Sequence, residues 1–225
     1  METKSRAKTK SSRRWLERQH SDFYVKQARE AGFRSRSAYK LLEIQEKDKV
    51  FFKGMRVVDL GAAPGGWSQV AAKCVGQTGK VLAMDILAMD PINGVDIVQG
   101  DFQKMEVLEE MVLALKGEAV DLVISDMAPN LSGITAVDQV RALNLAEMAL
   151  EFAERVLVKD GVFFIKVFQG SGSEEYLASL KYRFSRVIVR KPKASRAESR
   201  EIYLLAKGYK PQGNEMKGWN LERYA

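Results

Sequence analysis

Lys166 sits inside the apolar run GVFFIKVF, and Asp126 ends another, VDLVISD. A lysine in so apolar a strand either reaches water from a sheet edge or is buried with a partner. Its place near the carboxyl end of its strand, beside the strand that ends in Asp126, favours burial with a partner. An amine and a carboxylate held together in this way can orient a hydroxyl group and help to remove its proton. Lysine has an ordinary pKa of about 10.4, so it serves as a base only where desolvation or a neighbouring cation lowers that value. Glu201 and Lys40 are less telling when taken singly. The first reads as a solvated residue opening the last strand, the second as a surface lysine on an amphipathic helix.

A second group of residues points to a bound small molecule. The segment VVDLGAAPGGW, residues 57–67, places Gly61 and Gly65 in a turn between a buried strand and a helix. Small residues let a backbone approach a ligand closely, and the helix offers free N–H groups. The dinucleotide fingerprint G-x-G-x-x-G is absent, and Pro64 lacks an N–H that a pyrophosphate would want. Asp85 ends the next strand, KVLAMD, where a carboxylate can take both hydroxyls of a ribose. Asp101 and Phe102 follow VDIVQG, suited to an exocyclic amine and a stacked base. Carboxylates at three strand ends (Asp85, Asp101, Asp126) suit a ligand with positive charge and no phosphate. S-adenosyl-L-methionine (SAM), with its sulfonium, ribose, adenine and amino acid, has that description.

These positions require a sheet whose strand ends converge. From Ser35, SRSAYKLLEIQEK reads as a short amphipathic helix, with Ser35 or Ser37 as its cap. Short apolar strands then alternate with helical segments: MRVVDL, SQVAAKCV, KVLAMDI, VDIVQGD, MEVLEEMVLALK, VDLVISD, a long helix over 137–157, GVFFIKVF and SEEYLASLKYRF. This alternation predicts an α/β, Rossmann-like fold, a mostly parallel sheet with helices on both faces. RVIVRK and REIYLLAKG have no helix between them and predict antiparallel pairing at one end of the sheet.

Composition narrows the function classes. The chain has 225 residues, enough for one domain with a sizeable core. It lacks a run of about 18 apolar residues, so no membrane span is expected. With one Cys and one His, neither a disulfide framework nor a Cys/His zinc site can be built, and no metal is expected. Reduced Cys74 and the absence of an apolar leader suggest a cytoplasmic protein. The net charge of +7 is unevenly placed: residues 1–40 carry +8, 41–180 carry −9 and 181–200 carry +7. Two basic clusters around an acidic middle predict a polyanion partner such as RNA. Residues 1–20 read as a disordered basic tail, 21–208 as the single domain, and 209–225 as an extension of unknown role.

The segments SRSAYKL, DLGAAPGGWSQ, SDMAPN, IKVFQG and RKPKASRAESREIYL, in order over roughly residues 13–208, together resemble the FtsJ/RrmJ family of ribose 2'-O-methyltransferases. The likeness is strongest to its bacterial members that act on large-subunit ribosomal RNA. The resemblance implies a catalytic tetrad of Lys40, Asp126, Lys166 and Glu201. It implies SAM contacts at Gly65, Trp67, Asp85, Asp101 and Asp126, to which the reading of the turn and strand ends adds Gly61 and Phe102. Arg34, Arg36 and Arg196 are the candidate phosphate contacts. The target would be a uridine ribose on an assembled large ribosomal subunit, and the enzyme a monomer. Cytosine C5 methylation fits poorly, because Cys74 lies in a helix away from the strand ends. Amino methylation fits poorly too, since Asp126-Met127-Ala128-Pro129 departs from the Asn/Asp-Pro-Pro-aromatic loop. Methylation of transfer RNA or messenger RNA caps, or a non-catalytic role in ribosome assembly, are the competing readings.

Overall fold

The computed structural model describes residues 23–130, 132–196 and 199–211. The expectations for the basic tail 1–20 and for most of the C-terminal extension fall outside these residues. Seven strands form one sheet: β1 (Arg56–Leu60), β2 (Lys80–Asp85), β3 (Val95–Gln99), β4 (Val120–Ser125), β5 (Leu157–Phe168), β6 (Phe184–Arg190) and β7 (Glu201–Tyr209). Their order is β3-β2-β1-β4-β5-β7-β6. β1 pairs in parallel with β2 and β4, β2 with β3, and β4 with β5. β7 alone runs against its neighbours. It lies one strand in from the edge because β6 passes beyond it before the chain returns. The order reverses at β1, which opens a crevice above the carboxyl ends of β1, β2 and β4.

Six helices accompany the described strands: α1 (Phe23–Glu30), α2 (Ala38–Asp48), α3 (Gly66–Val75), α4 (Met105–Leu115), α5 (Thr135–Val156) and α6 (Ser173–Arg183). The strands bury side chains on both faces, and two apolar cores result. Val58, Leu60, Val123, Phe163 and Ile165 face Met111 of α4, Leu150 of α5 and Leu180 of α6. Val57, Leu122, Ile124, Phe164 and Tyr203 face Leu41 of α2 and Val70 of α3. Alternation along β5 therefore sends Phe164 and Lys166 to the α2/α3 face, while Phe163 and Ile165 take the other. On the α2/α3 face, Trp67, Phe164 and Tyr203 stack, with successive ring centroids 5.5 and 5.3 Å apart.

The sequence reading needs amendment in three places. Helix α1 was not foreseen. α2 begins at Ala38 after Ser37, as expected, but Ser37 makes no side-chain capping bond, and its hydroxyl meets that of Ser35 at 2.6 Å instead. β5 starts at Leu157, earlier than the apolar run, and shifts register against β4 before Val162.

Candidate active site

The catalytic candidates converge because four elements meet at one corner of the crevice. β5 brings Lys166, the chain leaving β4 brings Asp126, β7 brings Glu201, and α2 lays Lys40 over them. The register of β5 on β7 sets Lys166 opposite Tyr203, and Phe168 opposite Glu201. Since i and i+2 share a face, Lys166, Tyr203 and Glu201 all point toward α2.

Two ion pairs result. Lys166 Nζ lies 3.0 Å from Asp126 Oδ1 and donates to the Asp126 backbone carbonyl at 2.6 Å. Lys40 Nζ donates to Glu201 Oε1 at 2.7 Å. Tyr203 joins them: its hydroxyl accepts from Lys40 Nζ at 2.8 Å and donates to Asp126 Oδ1 at 3.0 Å. Burial, then the carboxylates of Asp126 and Glu201, push the phenol well above its ordinary pKa. It therefore stays protonated and keeps the donor that Asp126 needs. The four charged side chains are between 8% and 18% exposed. They are shielded enough for strong mutual attraction, yet open to a substrate. Tyr203 was missed because a tyrosine within IYLLA reads as core.

The floor of the crevice is the turn after β1. Gly61 and Ala62 N–H groups both bond to the Met84 carbonyl, at 2.9 and 3.0 Å. Gly61 has φ +74°, and a Cβ there would stand 2.8 Å from Met127 Cα, so only glycine lets the loop after Asp126 approach. Asp85 Oδ2 accepts from the Ala63 amide at 2.8 Å, and Oδ1 from the Leu87 amide at 2.9 Å. Asp101 Oδ1 accepts from the Gln103 amide at 3.0 Å. Among the described residues neither Asp85 nor Asp101 is ion-paired, which suits ligand hydroxyl, amine or cationic groups.

Asp59, one residue before the end of β1, is fully buried. Its Oδ2 accepts from Ser68 Oγ at 2.6 Å, while its Oδ1 is buried without a hydrogen-bond partner among the described residues. Burial, with smaller contributions from the charges of Asp126 and Asp85 and against the Ser68 bond, raises its pKa to about 7. This clustering of carboxylates around a small-residue cradle fits a ligand carrying a sulfonium and an amino group. Among the described residues no group of three or more His, Cys, Asp or Glu could hold a metal ion.

Several expected contacts are placed differently. Phe102 is buried edge-on against Phe152, 5.7 Å between centroids, so its ring offers no face on which a base could stack. Trp67 is likewise a core residue, its Nε1 donating to the Ser37 carbonyl at 2.8 Å. Any donor contact from residue 67 would come from the backbone of α3's first turn. Arg34 donates to three backbone carbonyls, and Arg36 donates to the Ala194 carbonyl. Both guanidiniums thus tie segments of the protein's own backbone together. Arg196 is exposed on the loop between β6 and β7.

The chain is similar to known methyltransferases. The family model of FtsJ-like methyltransferases matches residues 33–209. Ribosomal RNA large subunit methyltransferase E of Alkalilimnicola ehrlichii is 58% identical over 204 residues, 91% of this chain and 98% of that protein. The protein of the same name from Cellvibrio japonicus is 55% identical over 203 residues, 90% and 96% of the two chains. A crystal structure of a Plasmodium falciparum ribosomal RNA methyltransferase superposes with TM-score 0.70 at 30% identity, covering 79% of this chain and 98% of that one. With the tetrad, the glycine turn and the strand-end carboxylates all inside the matched segment, this chain belongs to the FtsJ-like methyltransferase family.

Proposed function

We propose that this enzyme transfers the methyl group of SAM to the 2'-hydroxyl of a uridine ribose in large-subunit ribosomal RNA, acting as a monomer in the cytoplasm on the assembled large subunit. The observation that carries the reading is the Lys166–Asp126 pair, 3.0 Å apart at the rim of the glycine-turn crevice. Bound SAM supplies a methyl group already activated by its sulfonium. The protein's task is then to align oxygen, carbon and sulfur and to remove one proton.

In this reading Lys166 gives up the proton of its ion pair to solvent before the step, and the neutral amine then orients the 2'-hydroxyl toward the methyl carbon and takes its proton. The oxygen–carbon bond forms as the carbon–sulfur bond breaks, and the sulfur keeps that bonding pair. Asp126 holds the lysine amine through both its carboxylate and its carbonyl. Lys40 and Glu201, paired with each other, border the place of the ribose. Asp85 and Asp101 would take the donor's ribose hydroxyls and adenine amine. The names of the two bacterial relatives support the ribosomal target. The exposed cations of the loop between β6 and β7 border the rim on which RNA would lie.

The test is transfer of a labelled methyl group from SAM to unmethylated large subunits, free ribosomal RNA and transfer RNA side by side. Label retained in alkali-resistant dinucleotides, and highest with large subunits, is the expected result. Label recovered in mononucleotides, or confined to transfer RNA, overturns the assignment.

A further inference from the structure

The segment between α1 and α2 is stitched to the first turns of α3. Gln69 Nε2 donates to the Gly32 carbonyl at 3.0 Å, and Gln69 Oε1 accepts from the Arg34 amide at 2.9 Å. Trp67 holds the Ser37 carbonyl from the same helix. Gly66 comes so near Ser35 that an added Cβ would stand 2.2 Å from its hydroxyl oxygen. Arg34 then reaches past α3. Its Nη1 donates to the Asp90 carbonyl at 2.7 Å and the Pro64 carbonyl at 3.3 Å, and its Nη2 to the Pro91 carbonyl at 2.8 Å. Pro64 belongs to the turn after β1, whereas Asp90 and Pro91 belong to the loop that leaves Asp85. Among the described residues no other side chain is bonded to the Asp90 or Pro91 carbonyl.

We infer that Arg34 is a positioning residue for the methyl-donor site, and that it holds the two loops bordering the crevice at the spacing the donor requires. The inference rests on the proposed use of SAM. A guanidinium suits the task because its planar fork presents several donors in fixed directions, which an ammonium cannot do. Without that fork the 86–94 loop would have to be ordered when the donor binds, and the ordering cost would be subtracted from affinity. Arg34 acts through the loops and touches no reacting atom.

The test compares wild type, Arg34→Ala and Arg34→Lys in three measurements. These are SAM binding without RNA by calorimetry, steady-state methyl transfer to unmethylated large subunits, and RNA affinity across a salt series. Both variants should bind SAM about tenfold or more weakly and show KM for SAM raised to match. Their kcat should stay within about twofold, and the salt dependence of RNA binding should not change. Lysine should not rescue, because it keeps the charge but loses the fork. Unchanged SAM affinity in either variant overturns the inference. So does rescue by lysine accompanied by a shallower salt dependence in Arg34→Ala, the pattern of a phosphate contact. If Arg34→Ala fails to fold, Arg34→Lys alone decides. Absence of SAM binding by the wild type would instead strike the proposed function.

Discussion

Tyr203 stands directly opposite Lys166 across the β5–β7 ladder, and its hydroxyl bonds the same Asp126 oxygen that pairs with the Lys166 amine. The two ion pairs of the site are thus one network, with a neutral phenol at its centre. Removing that hydroxyl in Tyr203→Phe leaves Asp126 and Lys40 each short of a partner. We expect a stability loss of about 1–3 kcal/mol in urea unfolding. We expect methyl transfer to fall less than on loss of Lys166. A fully stable variant would show that the hydroxyl bonds are replaceable by water.

Lys166→Ala should remove the group that directs the 2'-oxygen while leaving the donor crevice intact. A positioned acid–base group contributes about 10²- to 10⁴-fold, so single-turnover transfer should fall in that range. SAM affinity, measured by equilibrium dialysis, should stay within about threefold of wild type, since the proposed cofactor contacts lie on other elements. Loss of both together would argue that Lys166 supports the fold rather than the reaction.

Asp59 makes stability depend on pH. Its folded-state pKa of about 7 lies above the ordinary value of 3.8, so between these values the folded chain holds a proton that the unfolded chain releases. The contribution is fully present below 3.8, declines as pH rises through about 7, and is flat above. A shift of about three units corresponds to roughly 4 kcal/mol. Asp59→Asn keeps an acceptor for Ser68 and should lack this decline. Unfolding free energies at several pH values between 5 and 8 provide the check, and parallel profiles for the two proteins would refute it.

Arg196 and Arg36 separate RNA contact from internal support. Arg196→Ala should leave thermal stability unchanged and reduce the slope of log affinity against log salt by about one. Arg36→Ala should lower the melting temperature, because its guanidinium ties the start of α2 to the Ala194 carbonyl. Reversed effects in the two variants would assign the phosphate contact to Arg36 and not to Arg196.

Much of the architecture was legible along the chain because strand and helix periodicities are local. GVFFIKVF and VDLVISD are strands by their own composition, and the small residues after Leu60 mark a turn wherever they occur. The carboxylates at the ends of β2 and β4 follow from the same reading, and the motif set covering most of the chain pointed to the tetrad. Short-range pattern could not show which arginines face outward. Arg34 and Arg36 look like surface cations until the carbonyls of Asp90, Pro91 and Ala194, 56 to 158 residues distant, are brought to them.

The sequence by itself determined the element types, the basic and acidic segments and the residues capable of chemistry, since these depend on neighbours within one or two turns. Only the tertiary structure decided that β7 enters between β5 and β6, which sets Tyr203 beside Lys166 and Glu201 under Lys40. It likewise buried Phe102 in the core and brought the Arg34 guanidinium to the Asp90 and Pro91 carbonyls. The physical reason is common to all of these. Register between strands far apart in the chain, and the burial that follows from it, are settled by packing on both faces of the sheet, and no local pattern records that outcome.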